Sequence, residues 1–309
     1  LMDVLNSDLS EYEIVGLLDD DPRKQDRQIG SSKVIGYISQ FDAIIDKMSH
    51  CTTVIAITKN RKYSMIQNIL RARIKGVTVV EMPNLFESIT GRIPVKHIQD
   101  GWLLFSDGFS LLDKEFIQRL KRLIDVVLCI ILMVILAPIA LISALLIKLE
   151  SKGPVLFVQK RVGKDGLVFD LIKLRSMYED AETNGPVWAE PNDSRVTKVG
   201  RWIRWFRFDE IPQLWNVLRG EMSFIGPRPE RPEFVGMLEK EIPYYYLRHA
   251  VKPGLTGWAQ VNYPYGASLR EAEIKLEYDL YYLKNMSLFL DFKIFLKTIG
   301  VIFFRQGSR

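Results

Sequence analysis

Residues Val126–Ile147 have the sequence VVLCIILMVILAPIALISALLI, a run of 22 residues without one charged side chain. As an α-helix, this run would reach about 33 Å, which is enough to cross the hydrocarbon layer of a bilayer. The alternative is a buried core helix of a soluble protein, but such helices are seldom this long and this apolar. The run therefore predicts a membrane segment, carried by a helix over residues 123–149.

Two features predict that this helix is re-entrant, so that it enters and leaves the membrane on the same side. Pro138 lies near its centre, where a proline removes a backbone donor and favours a bend after Ala137. Basic residues flank both ends, whereas a spanning helix carries them mainly on its cytoplasmic side. They are Lys114, Arg119, Lys121 and Arg122 before the run, and Lys148, Lys152, Lys160 and Arg161 after it. We therefore expect both ends to face the cytoplasm.

The chain has 309 residues, enough for two domains, and a net charge of +5. Residues 1–105 hold 13 basic and 13 acidic side chains, so the positive excess lies in residues 106–309. There it suits anionic lipids or a phosphate-rich substrate better than duplex DNA. Cys51 and Cys129 lack CxxC spacing, which favours a reducing, cytoplasmic setting. Because Leu1 is not an initiator methionine, we expect the chain to begin inside a longer protein.

Residues 1–105 alternate short apolar runs with helical stretches, which is typical of an α/β domain with a parallel sheet. We predict a Rossmann-like module here, although no GxGxxG phosphate loop supports dinucleotide binding. Asp19–Asp21 could bind a metal, as acidic clusters do in some glycosyltransferases, but Pro22 and local capping by Asp favour a turn. Residues 106–120 are predicted to be a linker leading into a helix, and residues 121–309 an α+β membrane-associated domain. In that domain, the apolar runs VLFVQ and LVFDLIKL on either side of Lys164-Asp165-Gly166 predict a β-hairpin.

The strongest local signal is RWFRFDEIPQL, residues 204–214. Because proline fits the first turn of a helix, Pro212 predicts a helix start with Asp209 as its N-cap. Unpaired N–H groups at such a start favour a bound phosphate. Adjacent acids can divide the work, one attacking phosphorus while the other binds Mg²⁺. Taken alone, however, the stretch favours a plain capping Asp209 followed by Glu210, with no chemistry.

Two proline- and glycine-containing stretches further along the chain strengthen the chemical interpretation. Prolines on both sides of Arg228, in Gly226-Pro227-Arg228-Pro229, restrict its backbone, as suits a phosphate clamp. A rigid turn with a solvated Arg228 is the alternative. The stretch KPGLTGWAQVN, residues 252–262, could cradle a phosphate or a base, or could be only a turn entering a sheet.

Residues from about 121 to 304 resemble the polyprenyl-phosphate phosphoglycosyl transferases, which are bacterial sugar transferases of the single-membrane-helix type. The resemblance runs in order through KRLIDVVL, the apolar helix with Pro138, GPVLFVQKRVG, FDLIKLRSM, RFDEIPQLWNVLRGEMSFIGPRPE, KPGLTGWAQVN and YDLYYLKNMS. Residues 12–98 resemble the nucleotide-binding-like module of the longer members. The resemblance implies a re-entrant membrane helix, with the catalytic domain on the cytoplasmic face of the bacterial inner membrane.

The activity implied by the resemblance is transfer of a sugar-1-phosphate from a UDP-sugar to polyprenyl (undecaprenyl) phosphate. UMP is released, and exopolysaccharide or other glycan assembly begins on the lipid. Asp209 would be the nucleophile, forming an aspartyl-phosphosugar intermediate, and Glu210 would be the second catalytic acid and hold Mg²⁺. The basic residues that match the phosphate-binding positions are Lys173, Arg175, Arg204 and Arg228.

The implied partners are a UDP-sugar, polyprenyl phosphate and membrane lipids. A homodimer is left open, and nucleic acid is not expected, because it would leave the membrane run without a purpose. Two other functions stay open from the residues themselves. One is a membrane-associated GT-A-like glycosyltransferase with its metal at Asp19–Asp21, and the other is a non-catalytic scaffold whose α/β module senses a nucleotide.

Overall fold

The described part of the chain falls into two units, residues 1–105 and residues 106–309. The computed structural model describes residues 1–6, 11–48, 51–57, 61–109, 115–178, 193–263 and 268–303. Residues 110–114, within the predicted linker 106–120, lie outside these ranges.

The first unit alternates strands and helices around small parallel pairings. Its described strands and helices are β1 (Leu17–Leu18), β2 (Gln28–Ile29), β3 (Ser32–Gly36), β4 (Thr52–Ile55) and β5 (Thr78–Glu81), with α1 (Met2–Leu5), α2 (Phe41–Ile45), α3 (Tyr63–Ile74), α4 (Met82–Thr90) and α5 (Asp100–Phe105). Strand β1 pairs with β3 in parallel, and β4 pairs with β5 in parallel across helix α3. Helical crossovers of this kind are what parallel strands require.

The strands of this unit form two separate small sheets within the described ranges. One has the order β1-β3-β2, with β2 antiparallel, and the other contains β4 and β5. The α/β alternation is therefore present, and a single Rossmann-like sheet stays a prediction.

The acidic stretch Asp19–Asp21 forms a turn. Asp21 accepts a hydrogen bond from the N–H of Arg23, at the start of a 3₁₀ turn over Pro22–Lys24. Asp19 accepts from the N–H of Asp21 at 2.9 Å and pairs with Lys24 at 2.7 Å. Asp20 pairs with Lys62 at 3.1 Å. All three carboxylates have partners in the protein, which confirms the turn and leaves the metal-cluster alternative without support.

The second unit is rich in helices and contains two two-stranded sheets within the described residues. Its described elements are α6 (Glu115–Glu150), β6 (Leu156–Val162), β7 (Val168–Leu174), α7 (Lys198–Trp205), α8 (Gln213–Arg219), β8 (Ser223–Ile225), α9 (Pro232–Glu241), β9 (Gly254–Thr256), α10 (Trp258–Asn262), α11 (Leu269–Lys284) and α12 (Leu288–Phe303). Strands β6 and β7 form the predicted antiparallel hairpin, and β8 pairs with β9 in parallel.

Helix α6 carries the apolar run and is the one described helix long and apolar enough to cross a membrane. It begins at Glu115 and continues as helix through Pro138 to Glu150. Only 11% of its most apolar 18-residue window is buried. A core helix would be buried along most of its length, so the core-helix alternative is wrong. The re-entrant path of α6 stays a prediction.

The first half of α6 is anchored to α8 and β8. Arg122 donates to the carbonyl oxygens of Val217 and Leu218, at 2.6 and 2.7 Å, and so satisfies carbonyls at the end of α8. Asp125 is buried and accepts the N–H of Phe224.

The last residue of α6 is bonded to the start of α7. Glu150 accepts the N–H groups of Lys198 and Val199, where unpaired N–H groups and the helix dipole favour an anion. Both ends of the apolar helix are therefore held by the second unit.

Candidate active site

The predicted acid pair lies in a tight turn between α7 and α8. Residues Phe208–Glu210 form a 3₁₀ turn, and Arg207 precedes it in the left-handed conformation, with φ 56° and ψ 24°. The prediction that Asp209 is a helix N-cap is wrong, because the left-handed Arg207 starts the turn two residues earlier. Pro212 does lie at the start of α8, where its missing N–H costs nothing.

Glu210 is held by two arginines. Its carboxylate accepts a hydrogen bond from Arg228 at 2.8 Å and lies 3.9 Å from the guanidinium of Arg207. Burial acts to raise the pKa of Glu210, but the charges of Arg228, Lys173 and Arg207 outweigh it and lower the pKa to about 2. Glu210 is therefore an ionised side chain in a restricted position.

Asp209 differs from its neighbour because it makes no hydrogen bond or salt bridge with any other described residue. Burial and the charge of Glu210 raise the pKa of Asp209 to about 6, although Lys173, Arg204 and Arg228 act in the opposite direction. Its carboxylate is thus poorly solvated and uncommitted, as suits a nucleophile.

The cations around the two acids outnumber them. Lys173, at the end of β7, comes close enough to both for its charge to lower their pKa values, and Arg204 acts on Asp209. Burial and the charge of Arg228 lower the pKa of Lys173 itself to about 8. This surplus of positive charge in a partly desolvated site favours a diphosphate.

The loop that carries Arg228 is fixed through its backbone. A Cβ on Gly226 would lie 2.4 Å from the carbonyl oxygen of Lys252, so only glycine permits this approach. Arg161 donates to the carbonyl of Pro229 at 3.0 Å, and Arg248 donates to the carbonyl of Arg228 at 2.8 Å. The rigid presentation of Arg228 is confirmed, and the alternative of a solvated arginine is wrong, since Arg228 binds Glu210.

A buried ion pair behind this loop was not predicted. Arg248 contacts Asp279 at 2.9 Å, and their side chains are 6% and 2% exposed. Arg248 therefore positions Arg228 from a site that excludes water. Asp279 lies 31 residues after its partner in the chain, a distance that local sequence patterns do not span.

Arg175 is the predicted phosphate-binding residue that the structure does not bring to the acids. Its guanidinium donates to the carbonyl and hydroxyl oxygens of Ser151, just beyond α6. The side chains of Lys173 and Arg175 therefore have different surroundings, since Lys173 lies near the acid pair and Arg175 is held by Ser151. A phosphate-binding role for Arg175 stays a prediction without a contact that supports it.

Exposed aromatic side chains lie on both sides of the acid pair in the chain. Trp202 and Trp205 on α7, Phe206 after it, and Trp215 on α8 are each more than 40% exposed. Aromatic rings of this kind favour the headgroup layer of a membrane. The acids therefore lie within a surface suited to the membrane boundary.

Whether Asp209 and Glu210 could hold Mg²⁺ depends on the ligand atoms that the site offers. The described residues contain no cluster of three or more His, Cys, Asp or Glu side chains. Mg²⁺ commonly uses only one or two carboxylates, together with water and substrate phosphates. Glu210, with Asp209 beside it, fits such a shared site when a diphosphate supplies the remaining oxygens.

The two shifted pKa values predict a bell-shaped pH dependence. In the free enzyme, kcat/KM should rise as pH passes about 6, where Asp209 loses its proton, and fall above about 8, where Lys173 loses its charge. Rates of nucleotide release between pH 5 and pH 9 would measure both limbs. Added Mg²⁺ should move the acidic limb to lower pH, because a cation stabilises the carboxylate. An acidic limb near pH 4 at the lowest Mg²⁺ concentration that supports turnover would contradict the assignment.

Comparison with known proteins shows one family over most of the second unit. The model of the bacterial sugar transferase family matches residues 116–305. A UDP-N-acetylgalactosamine-undecaprenyl-phosphate N-acetylgalactosaminephosphotransferase of Aeromonas hydrophila is 43% identical over 241 residues, which is 78% of this chain and 56% of that protein.

Two other relatives differ in the sugar that their names give. An undecaprenyl-phosphate glucose phosphotransferase of Komagataeibacter xylinus is 43% identical, over 76% of this chain and 46% of its own length. A UDP-glucose:undecaprenyl-phosphate glucose-1-phosphate transferase of Klebsiella pneumoniae is 42% identical, over 61% of this chain and 41% of its own. The chain thus spans about half the length of the relatives it matches.

Proposed function

The chain belongs to the bacterial sugar transferases, and we propose that it transfers a sugar-1-phosphate from a UDP-sugar to undecaprenyl phosphate. The names of its relatives support this acceptor and this reaction class. They give both glucose and N-acetylgalactosamine, so the proposal covers UDP-hexoses as a class. The product would begin a glycan, such as an exopolysaccharide, on the cytoplasmic face of the bacterial inner membrane.

The proposed chemistry proceeds in two displacements at phosphorus. A carboxylate oxygen of Asp209 attacks the phosphorus that bears the sugar, the bond from that phosphorus to the bridging oxygen breaks, and UMP leaves with the oxygen. An oxygen of undecaprenyl phosphate then attacks the same phosphorus and displaces the carboxylate. The lipid-linked diphosphosugar leaves, and Asp209 is regenerated.

The observation that carries this proposal is the unequal state of the two acids. Glu210 is bonded to Arg228, whereas Asp209 has no partner among the described residues and a raised pKa. A free carboxylate surrounded by cations can attack a phosphorus whose anionic oxygens would otherwise repel it. Lys173 and Arg204, whose charges act on Asp209, would then bind the phosphate oxygens.

We also propose that Glu210 binds Mg²⁺ together with the diphosphate. When bound, the ion would neutralise charge on the phosphates and on the departing UMP. Arg228 would keep Glu210 oriented toward the donor in either case, because the two are hydrogen-bonded directly.

The function can be tested by measuring UMP release. Purified protein should release UMP from at least one UDP-hexose or UDP-N-acetylhexosamine when undecaprenyl phosphate and Mg²⁺ are present. The matched control is the same panel with inorganic phosphate in place of the lipid, for which sustained turnover is not expected. Binding of UDP-sugars without turnover in any combination would favour the nucleotide-sensing scaffold instead.

The re-entrant path of α6 is part of the proposal, and two sets of contacts support it. Both ends of the helix are bonded to the second unit, through Arg122 at one end and Glu150 at the other. On a straight helix, Cys129 and Ile147 would be about 27 Å apart. Yet Cys129 bonds Leu214, while the cluster around Ile147 packs against Phe208. Even when fully extended, the six residues from Phe208 to Leu214 span at most about 21 Å, which is less than about 27 Å and favours a bend.

Labelling of introduced cysteines would test this topology. We expect Arg119→Cys and Lys152→Cys, each in a Cys51→Ser background, to react with a membrane-impermeant maleimide from the cytoplasmic side only. Arg119 is 76% exposed and Lys152 is exposed, so both sites are accessible. Cys129 is buried and serves as an internal unreactive control. Opposite sidedness of the two positions would mean that α6 spans the membrane.

A further inference from the structure

A second cationic pocket lies at the base of α6, away from the acid pair. Its cavity measures about 60 Å³ and is lined by residues of α6, of the β6–β7 turn, and of the segments around β8 and β9. A cavity of this size holds several water molecules or one phosphate group. None of Asp209, Glu210, Lys173 and Arg228 lines it.

The pocket carries more positive than negative charge. Lys121, Arg122, Lys164 and Lys252 line it together with Asp125. The charge of Lys121 is balanced by Asp291, at 2.7 Å, while Arg122 is bonded only to neutral carbonyl groups. Asp125 is the one carboxylate in the lining, so at least two cationic charges remain uncompensated.

Two of these cations are uncommitted. The ammonium groups of Lys164 and Lys252 make no hydrogen bond or salt bridge with another residue that the structure describes. Both side chains are half-buried. Burial and the charge of Arg122 lower the pKa of Lys252, so an anion placed between them would relieve an unfavourable arrangement.

A buried hydroxyl gives an independent indication of a ligand. Ser223 lines the same cavity, its side chain is 1% exposed, and its Oγ has no hydrogen-bond partner within the described ranges. A buried hydroxyl without a partner is costly, and native proteins seldom keep one unless a ligand or water satisfies it. A phosphate oxygen would accept its hydrogen bond.

We propose that this pocket binds the phosphate group of an anionic membrane lipid, at a site separate from the one that performs transfer. The cavity contacts α6 at residues 118–125, immediately before the apolar run begins at Val126. That is the level at which the run would meet the headgroups, where basic pockets beside membrane helices bind lipid phosphates. The inference rests on the membrane attachment and not on the transferase chemistry.

Lipid binding by the full chain would test the pocket. The probe is a fluorescent phosphatidylglycerol in zwitterionic micelles, with the corresponding phosphatidylcholine as the neutral comparison. We expect preference for phosphatidylglycerol and an affinity about 25-fold weaker in Lys164→Ala/Lys252→Ala, at about fivefold for each lysine. The matched control, Lys152→Ala/Lys160→Ala, removes two exposed charges outside the pocket. It should change affinity less than about twofold, because solvent and salt screen exposed charges.

Three further measurements complete the test of the pocket. Ser223→Ala leaves every charge in place and should weaken phosphatidylglycerol binding about tenfold. Unchanged affinity of the Ser223→Ala variant, or of the double lysine variant, would overturn the site. Lys164→Arg/Lys252→Arg should retain binding. Displacement of the lipid by inorganic phosphate at equal concentration would overturn the lipid source and identify a soluble phosphate instead. Because the measured quantity is lipid binding, the result does not depend on whether the chain transfers sugar.

Discussion

Replacing Asp209 by Asn should lower UMP release by about 10⁴-fold or more, the scale seen when an enzyme loses its covalent nucleophile. The amide keeps the size of the carboxylate but has no anionic oxygen with which to attack phosphorus. Because Asp209 makes no bond to another described residue, the substitution should leave the fold intact. UMP release with saturating donor and lipid would measure the loss, and thermal unfolding would verify the fold.

The matched control for Asp209→Asn is Asp20→Asn. Asp20 lies in the first unit, where it pairs with Lys62, and its substitution should leave UMP release within about twofold of the wild type. A large loss in Asp20→Asn with an active Asp209→Asn enzyme would favour the GT-A-like alternative. Mass spectrometry adds a direct readout: wild-type enzyme quenched with donor and no lipid should carry a phosphosugar on the peptide that contains Asp209.

The second large effect is expected at Arg228. Substitution by Met should lower kcat about 10²- to 10³-fold, as for the loss of one preorganised charged donor in other enzymes. The variant removes the phosphate contact that the resemblance implies for Arg228, and it also leaves Glu210 without its closest partner, at 2.8 Å. The pKa of Glu210 should therefore rise, and the acidic limb of the pH profile should change shape.

Two further variants serve as comparisons for Arg228→Met. Arg228→Lys keeps the charge but loses the planar fork, so it should recover only part of the activity. Arg219→Met removes an arginine that pairs with Glu221 at the surface, with a side chain 56% exposed, and should change kcat less than about twofold. Equal activities of Arg228→Met and Arg219→Met would show that Arg228 has no part in the site.

The elements of the second unit followed from local patterns. The charge-free run predicted α6, and the apolar runs on either side of Lys164-Asp165-Gly166 predicted the β6–β7 hairpin. Local patterns also drew attention to the acid pair and to Arg228, because turn-forming prolines lie close to each in the chain, but their roles were implied only by the family resemblance. Local rules succeed here because a strand, a turn or an apolar helix depends on neighbouring residues.

The features that the sequence did not predict depend on contacts between distant residues or on an unusual backbone conformation. Nothing local marks Arg207 for the left-handed region, since that conformation is uncommon outside glycine, asparagine and aspartate. The buried pair of Arg248 and Asp279 joins two segments that are distant in the chain, and Arg175 is held by Ser151, 24 residues earlier. In the first unit, the alternation predicted strands but not how they would assemble.

The exposed tryptophans on α7 and α8 have a kinetic consequence under the proposed function. Trp205 and Trp215 lie on opposite sides of Asp209 in the chain, so rings immersed among the headgroups would hold the carboxylate at one fixed depth. The phosphate of the lipid acceptor lies in the same thin layer, so the enzyme and the acceptor would meet by diffusion in two dimensions. Lipid mole fraction in the surface would then govern turnover, and diluting the vesicles in bulk water would not slow the second step.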